Sequence, residues 1–505
     1  MIAGLALADF RDRVRRPAYA AIVLAAVGLG YLAAPAADAH WVILDLAGHR
    51  GVYDSAYTGA VTAVAGALWL MFGGFYVVRG TIRRDERTGV GQVLAATPVS
   101  RLAYLMGKFG SNLLVLASMT GVLAVTALVM QLARAESRAV DPVALLAPFV
   151  LVTLPVLAVT AAAALLFDTV RPLNGGIGNI AWFFVWMVLA IVSQMSGALL
   201  GGLGVGYVAD SVGADLAAQG FALKDAELGL GLMYVEQPLR TFDWSGLDLS
   251  AGLVADRVGM TLVALAVAAV PALWFHRFDT ARRPGIAVPA GPTPPPAPAA
   301  VYAGLPRTAV RRGNPAVRLF VGELRILVQG VSRWWWLGTG ILVLVGLAAS
   351  PALGLLVAGI WPVLIWSRLG TQPAENNMGV LLGAYPAARR RLLAEWAAGL
   401  AVAALVGTGP TVRMLVTGDV AGLAGWGAGA VFVASLALAL GVVGRTQRLF
   451  QAAYVPLWYL VLNDVAALDY LGAVRGGPAP VLVAGAGAVL LAVAVVVTGL
   501  RHARR

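Results

Sequence analysis

The sequence predicts an all-α polytopic membrane protein with twelve transmembrane helices in two six-helix units, and three observations predict it. First, 60% of the 505 residues are hydrophobic and 12% charged, against roughly 25% charged in ordinary soluble domains. In water, so apolar a chain lacks the polar residues to coat its own surface. Second, twelve apolar stretches of about bilayer-core length recur, at 17–35, 57–78, 109–133, 143–167, 179–199, 258–275, 334–350, 352–367, 396–412, 420–443, 449–463 and 478–500. Third, with the N-terminus in the cytoplasm, the segments on its side hold 29 Lys/Arg and 9 Asp/Glu, and the opposite segments 8 and 16. This positive-inside asymmetry puts both termini in the cytoplasm. The net charge of +12 then reads as topology and contact with membrane lipids, not as a nucleic-acid partner.

Absences narrow the function. The chain has no cysteine and four unclustered His, which excludes disulfides, Cys-ligated metal and thiol nucleophiles and argues against a metal enzyme. None of the twelve stretches contains Asp, Glu, Lys or Arg. Carriers driven by ion gradients keep ionisable groups at membrane depth, so the energy for transport is expected from outside the membrane. Only Lys108 and Lys224 of the 37 basic residues are Lys. That Arg bias, with abundant Ala, suggests a GC-rich bacterial genome and hence the bacterial plasma (inner) membrane.

The elements follow in order. In residues 1–16, Asp9, Asp12, Arg13 and Arg16 share one helical face while Ala3, Leu7, Phe10 and Val14 fill the other. Asp9–Arg13 and Asp12–Arg16 are i,i+4 pairs, and such a helix is expected to lie in the membrane interface. The first stretch, with Ala37-Asp38-Ala39 after it, imitates a cleavable secretory signal, but its apolar run exceeds the usual signal core. Between the second and third stretches, the run from Arg83 to Arg101 reads as a short helix, a turn and a long helix. Thr97 is the expected N-cap of that long helix and Pro98 its first residue. The loop at 200–257 carries eight acidic and three basic residues and is the longest on the outer side; it could be a lid, a site for an external partner, or simply a solvated loop.

A first unit is expected over 1–280, a Pro-rich cytoplasmic linker over 281–316 and a second unit over 317–505. The linker composition favours extended polyproline II and cannot form a core. The second unit opens as the first does, with Arg318, Arg325, Gln329 and Ser332 opposite Phe320, Leu324, Leu327 and Val331. Trp334-Trp335-Trp336 sits where an aromatic belt belongs. Shifted by 288 positions, the first charged loop meets Gly379, Leu381, Leu382, Ala384, Pro386 and Arg389, preceded by Glu375.

At these residues the chain resembles the type-2 permeases of ATP-binding-cassette exporters, whose units carry an interfacial elbow helix, six spans and a coupling helix between the second and third. The run from Glu86 through Thr97-Pro98, Ser100-Arg101 and Gly107-Lys108 is similar to the family's motif, and the resemblance covers nearly all of the first half. In the second half Tyr385 replaces the Thr, and the acidic segment shrinks to Glu375. The resemblance implies that Glu86, Arg87, Gly89, Thr97, Pro98 and Arg101, with Glu375, Pro386 and Arg389, dock an ATPase subunit. Phe109 follows Gly107-Lys108, and Leu102 stands where a phosphate-binding loop needs Gly. The chain therefore has no catalytic motif of its own; two ATPase copies per chain would bind ATP and Mg.

The family also lines the interface between halves with the second and fifth helix of each. Carried onto this chain, that implies a substrate pathway of Trp69, Phe72, Phe75, Tyr76, Trp182, Phe183, Phe184, Trp186, Gln194, Trp361, Trp366, Tyr454 and Trp458. Aromatic and amide groups without charge suit an amphipathic or largely apolar substrate; for any one residue taken alone, helix packing and interface anchoring is the preferred reading. A twelve-helix secondary carrier of the major facilitator kind is the alternative, and a membrane-embedded transferase or scaffold the third reading.

Overall fold

The computed structural model describes residues 2–15, 17–36, 39, 41–46, 49–194, 197–219, 228–234, 239–275, 314–375, 388–463, 465–474 and 476–503. The chain divides into two compact units, Met1–Arg283 and Pro284–Arg505. Of the expected linker, 281–313 lies outside the described residues.

The first unit begins with α1 (Ile2–Val14) and α2 (Pro17–Ala33), followed by β1 (Trp41–Leu46) and β2 (His49–Gly51). Next come α3 (Ser55–Val78), α4 (Thr81–Thr88), α5 (Val90–Ala95) and α6 (Arg101–Arg134). Then α7 (Pro142–Pro148) runs through a π-helical turn, Phe149–Thr153, into α8 (Leu154–Thr169). Pro148 and Pro155 flank that wider turn, which absorbs the missing amide donors without ending the helix. The unit closes with α9 (Gly176–Val192), α10 (Val205–Ala218), β3 (Leu228–Tyr234), β4 (Arg240–Phe242) and α11 (Ala251–Ala269). Nearly all of α3 is buried, and α2, α6, α7, α8 and α9 pack around it. A Cβ on Gly59 would stand 2.6 Å from the Leu145 carbonyl oxygen, so glycine lets α3 and α7 meet backbone to backbone.

The described residues are predominantly helical, as the sequence predicts, and carry one small sheet besides. The two loops flanking α3 and α11 contribute a four-stranded sheet in the order β3-β1-β2-β4. β1 and β3 are antiparallel, Trp41 opposite Tyr234 and Leu46 opposite Leu228, while β2 and β4 are parallel. Val42, Ile43 and Leu44 are buried; the aromatic, β-branched and aliphatic run at 41–44 favours a strand and is too short for a stable helix. Arg50 donates to both Glu136 oxygens at 2.9 and 2.6 Å, fastening β2 beside the end of α6. In the longer loop, α10 buries Val205, Val208, Val212 and Leu216 along one face.

The second unit runs α12 (Pro315–Val328), α13 (Arg333–Ala348), α14 (Pro351–Ile360), α15 (Val363–Trp366), α16 (Gln372–Glu375), α17 (Ala388–Val406), α18 (Thr408–Thr417), α19 (Val420–Gly444), α20 (Gln447–Leu462) and α21 (Pro480–Ala503). Bends of 106° between α12 and α13 and of 64° between α17 and α18 break two pairs of helices.

Among the described residues, six helices are long and apolar enough to cross a membrane: Ser55–Glu86, Arg101–Arg134, Pro142–Thr169, Ala251–Leu273, Val420–Gly444 and Pro480–Arg501. Counting each bent pair as one span raises the number to eight, as befits a multi-pass membrane protein. The other four of the twelve expected stretches form shorter helices, α2 and α9 of 17 residues, α20 of 16 and α14 of 10. Proline accounts for two of these ends: Pro35 biases the residue before it away from helix, and Pro362 follows the end of α14. The long helices also overrun the apolar stretches. Arg79, Asp85, Lys108, Asp168, Asp256 and Arg257 lie within them, so freedom from charge belongs to the stretches and not to the whole helices.

Candidate functional site

In the first unit, the residues expected to dock a partner lie at the end of α3 away from the sheet. Gly80 and Gly89, at φ 82° and 75°, bracket α4, and both turns need the left-handed conformation that glycine adopts freely. The base of α4 is clamped. Asp168 at the end of α8 accepts the Gly80 and Thr81 amides at 2.7 and 3.1 Å, placing a carboxylate on a helix N-terminus. Arg79 lies 3.5 Å from Asp168 and also donates to Asn179 and to the carbonyls of Leu173 and Gly175.

One turn along α4, Asp85 points inward and accepts from Tyr104 Oη at 2.8 Å and from Lys108 Nζ at 2.8 Å. Lys108 also reaches Asp9 of α1 at 3.2 Å. Asp9 in turn accepts from Arg13 and from the Ser111 hydroxyl, both at 2.7 Å. Burial of Asp9 opposes its ionisation, but Arg13, Lys108 and the Ser111 hydroxyl outweigh it and hold the carboxyl down at about 2. The expected Asp9–Arg13 pair is therefore present; Asp12 instead meets Arg84 of α4, and Arg16 lies outside the described residues. Leu5, Ala6, Asp9 and Arg13 lie on the face of α1 that docks on α6, and Ile2, Leu7 and Val14 are exposed.

Glu86 faces outward on α4, and α5 exposes Val90 and Val93. Thr97 is not the cap of α6. Its hydroxyl donates to the Leu94 carbonyl at 2.7 Å, closing α5, and Ser100 caps α6 by accepting the Ala103 amide at 3.2 Å. Three residues later than expected, the long helix starts at Arg101, which is exposed, as is Pro98. The Arg87 side chain and Pro386 lie outside the described residues. In the second unit, Glu375 accepts from Gln447 at 2.6 Å and Arg389 is exposed at the start of α17; 376–387, between them, lies outside the described residues.

The second unit repeats one feature of the first: Glu323 of α12 pairs with Arg391 of α17 at 2.8 Å, as Asp9 of α1 does with Lys108 of α6. Sequence reasoning missed Asp85, Asp168 and Arg79, and took Lys108 only as half of a Gly-Lys pair. The available signal was Lys108 itself, one of two lysines in an arginine-rich chain.

The aromatic residues fall into two packed sets, one in each unit. In the first, Trp182 and Trp186 donate their indole N–H to Met71 and Leu68 carbonyls at 3.3 and 2.8 Å, and Tyr76 donates to Asn179 at 2.7 Å. Phe75 stacks on Trp182 at 4.3 Å, and Phe72 lies 4.9 Å from Trp186 and 6.1 Å from Phe183. Trp69 is half-buried and Phe184 exposed; Gln194 is exposed. In the second, Tyr454 and Trp458 donate to Gly359 and Leu356 carbonyls at 2.7 and 2.8 Å. Trp361 donates to Thr339 at 2.9 Å and Trp366 to Gly399 at 3.1 Å. In both units, then, indole and phenol groups donate across to a neighbouring helix, to carbonyls except for Trp361, which meets the Thr339 hydroxyl, so α9 binds to α3 and α20 to α14.

No protein-family model, curated protein or solved structure matches the chain. Among the described residues no group of three His, Asp or Glu could hold a metal ion. What the first unit offers is a helical hairpin, α4–α5, with a rigid charged base and an exposed apolar tip.

Proposed function

We propose that the chain is the permease subunit of an ATP-driven exporter of the ATP-binding-cassette type-2 kind. It sits in the bacterial inner membrane with both termini in the cytoplasm and twelve spans. It moves an amphipathic or hydrophobic substrate and is powered by two copies of a separate ATPase subunit that binds ATP and Mg. The observation that carries this reading is the hairpin: Val90 and Val93 are 46% and 68% exposed on a short helix between Glu86 and Arg101. An exposed apolar helix flanked by charge suits a docked protein partner, and the clamps at Asp85 and Asp168 let the load on it reach the bundle. The elbow-like α1 and α12, each ion-paired to the helix after its loop, support the two-unit reading.

The test is assembly and turnover of the purified complex. Glu86→Arg combined with deletion of 88–96 should abolish copurification of the ATPase and substrate-stimulated ATP hydrolysis while the permease stays folded; persistence of both would remove the reading. The buried Asp85–Lys108 and Asp168–Arg79 pairs give the secondary-carrier alternative its one foothold, since such carriers work through ionisable groups in their helices. In proteoliposomes, collapse of a pH gradient should leave initial rates unchanged and removal of ATP should abolish them. The opposite pattern would establish the carrier.

A further inference from the structure

Lys108 is 3% exposed and lies between carboxylates of two other helices, Asp9 of α1 and Asp85 of α4. Its ring neighbour Tyr104, whose hydroxyl holds Asp85, sits one turn earlier on α6. The gap that holds the ammonium is narrow. A Cβ on Gly107 would stand 2.6 Å from Leu5 Cδ2, and one on Gly110 3.1 Å from Ala6 Cβ, so α1 presses directly on α6. In such a gap a compact ammonium with three rotatable donors can serve two carboxylates at once, whereas a planar guanidinium would pair side by side with one of them. The chain uses arginine at nearly every other basic position, yet places lysine here.

We propose that Lys108 is a positioning residue that makes α1, α4 and the start of α6 one rigid body, so that force applied to the α4–α5 hairpin is delivered to α1. Its use in transport rests on the docking reading above; its geometry does not. Loss of the Asp85 arm should loosen the far end of α4, whose base stays clamped by Asp168, while leaving α1 on α6, because Asp9 keeps Ser111 and Lys108 and Arg13 keeps Asn112. The second link between α1 and α4, Asp12 with Arg84, is half exposed and correspondingly weak.

The cysteine-free chain permits a direct test with no ATPase present. Spin labels are placed as Leu7→Cys with Thr88→Cys, reporting α1 against α4, and as Leu7→Cys with Leu114→Cys, reporting α1 against α6. Distance distributions are measured by EPR in nanodiscs. Asp85→Asn should broaden the first distribution at least two-fold and leave the second unchanged, a difference that a general loss of stability would not produce. Lys108→Arg, which keeps the charge, should also broaden the first and decides the matter if Asp85→Asn fails to fold. Wild-type width for the first pair in the folded variants, or equal broadening of both pairs in Asp85→Asn, would overturn the proposal. Failure of the ATPase to dock would remove the proposed function and leave this result standing.

Discussion

At Asp9, burial and charge act in opposite directions, and charge wins. Its carboxyl is held at about 2 against an ordinary 3.8, so the group stabilises the fold fully above about pH 4, and that contribution is lost as pH falls through about 2. Asp9→Asn should therefore lower the melting temperature at pH 7, and the gap from wild type should shrink between about pH 4 and about pH 2; a gap constant with pH would show that the carboxylate charge is not what holds α1. Gly59 makes the steric counterpart. Gly59→Ala sets a methyl against the Leu145 backbone, and overpacking of that kind costs roughly 1–3 kcal/mol, readable in thermal unfolding of the detergent-solubilised chain. The local pairing of Asp9 with Arg13 was legible from their spacing. The partners of Asp12 and Lys108 were not, because they lie 72, 99 and 23 positions away on other helices and no helical period reaches them.

For the elements, the apolar stretches were legible and their ends were not. Thr97-Pro98 and Ser100 both carry a helix-start signal, and only the closure of α5 by the Thr97 hydroxyl chooses between them. Ser100→Ala should cost about 1 kcal/mol and increase hydrogen exchange in the first turn of α6, whereas Thr97→Ala should leave that turn unchanged and loosen α5. Equal effects would return the cap to Thr97. The strands were invisible for a different reason: β1 finds its longest pairing with β3, and a short apolar run, 41–44, near a membrane helix looks like the edge of that helix. The aromatic residues of α3 and α9 were found by the family resemblance, but their mutual hydrogen bonds depend on how those two helices face each other, which composition does not carry.

Across the whole molecule, the chain divides by contacts between 283 and 284, next to the first proline of the Pro-rich run. Hydropathy alone marks twelve stretches, and among the described residues six to eight of them form helices long enough to span by length, because hydropathy does not register a break such as the one after α14. Orientation is the remaining global statement, and it is testable. Single cysteines replacing Arg240 and Arg389, both exposed, should behave oppositely in intact cells: an impermeant thiol reagent should label 240 and not 389. Labelling at 389 alone would invert the topology.

The sheet brings a matter of timing. β1 and β2 leave the ribosome about 180 residues before β3, and synthesis at roughly 5–20 residues per second makes that an interval of roughly 10–40 seconds. Throughout it the nascent hairpin has open edges, the arrangement that recruits stray strands. A chain stalled after Val192 would hold the hairpin and none of its flanking strands, and would be the form most prone to mispair or to be cleaved by proteases. Slowing translation between Val192 and Leu228 should therefore harm yield more than slowing it after Phe242, when the last strand is already made.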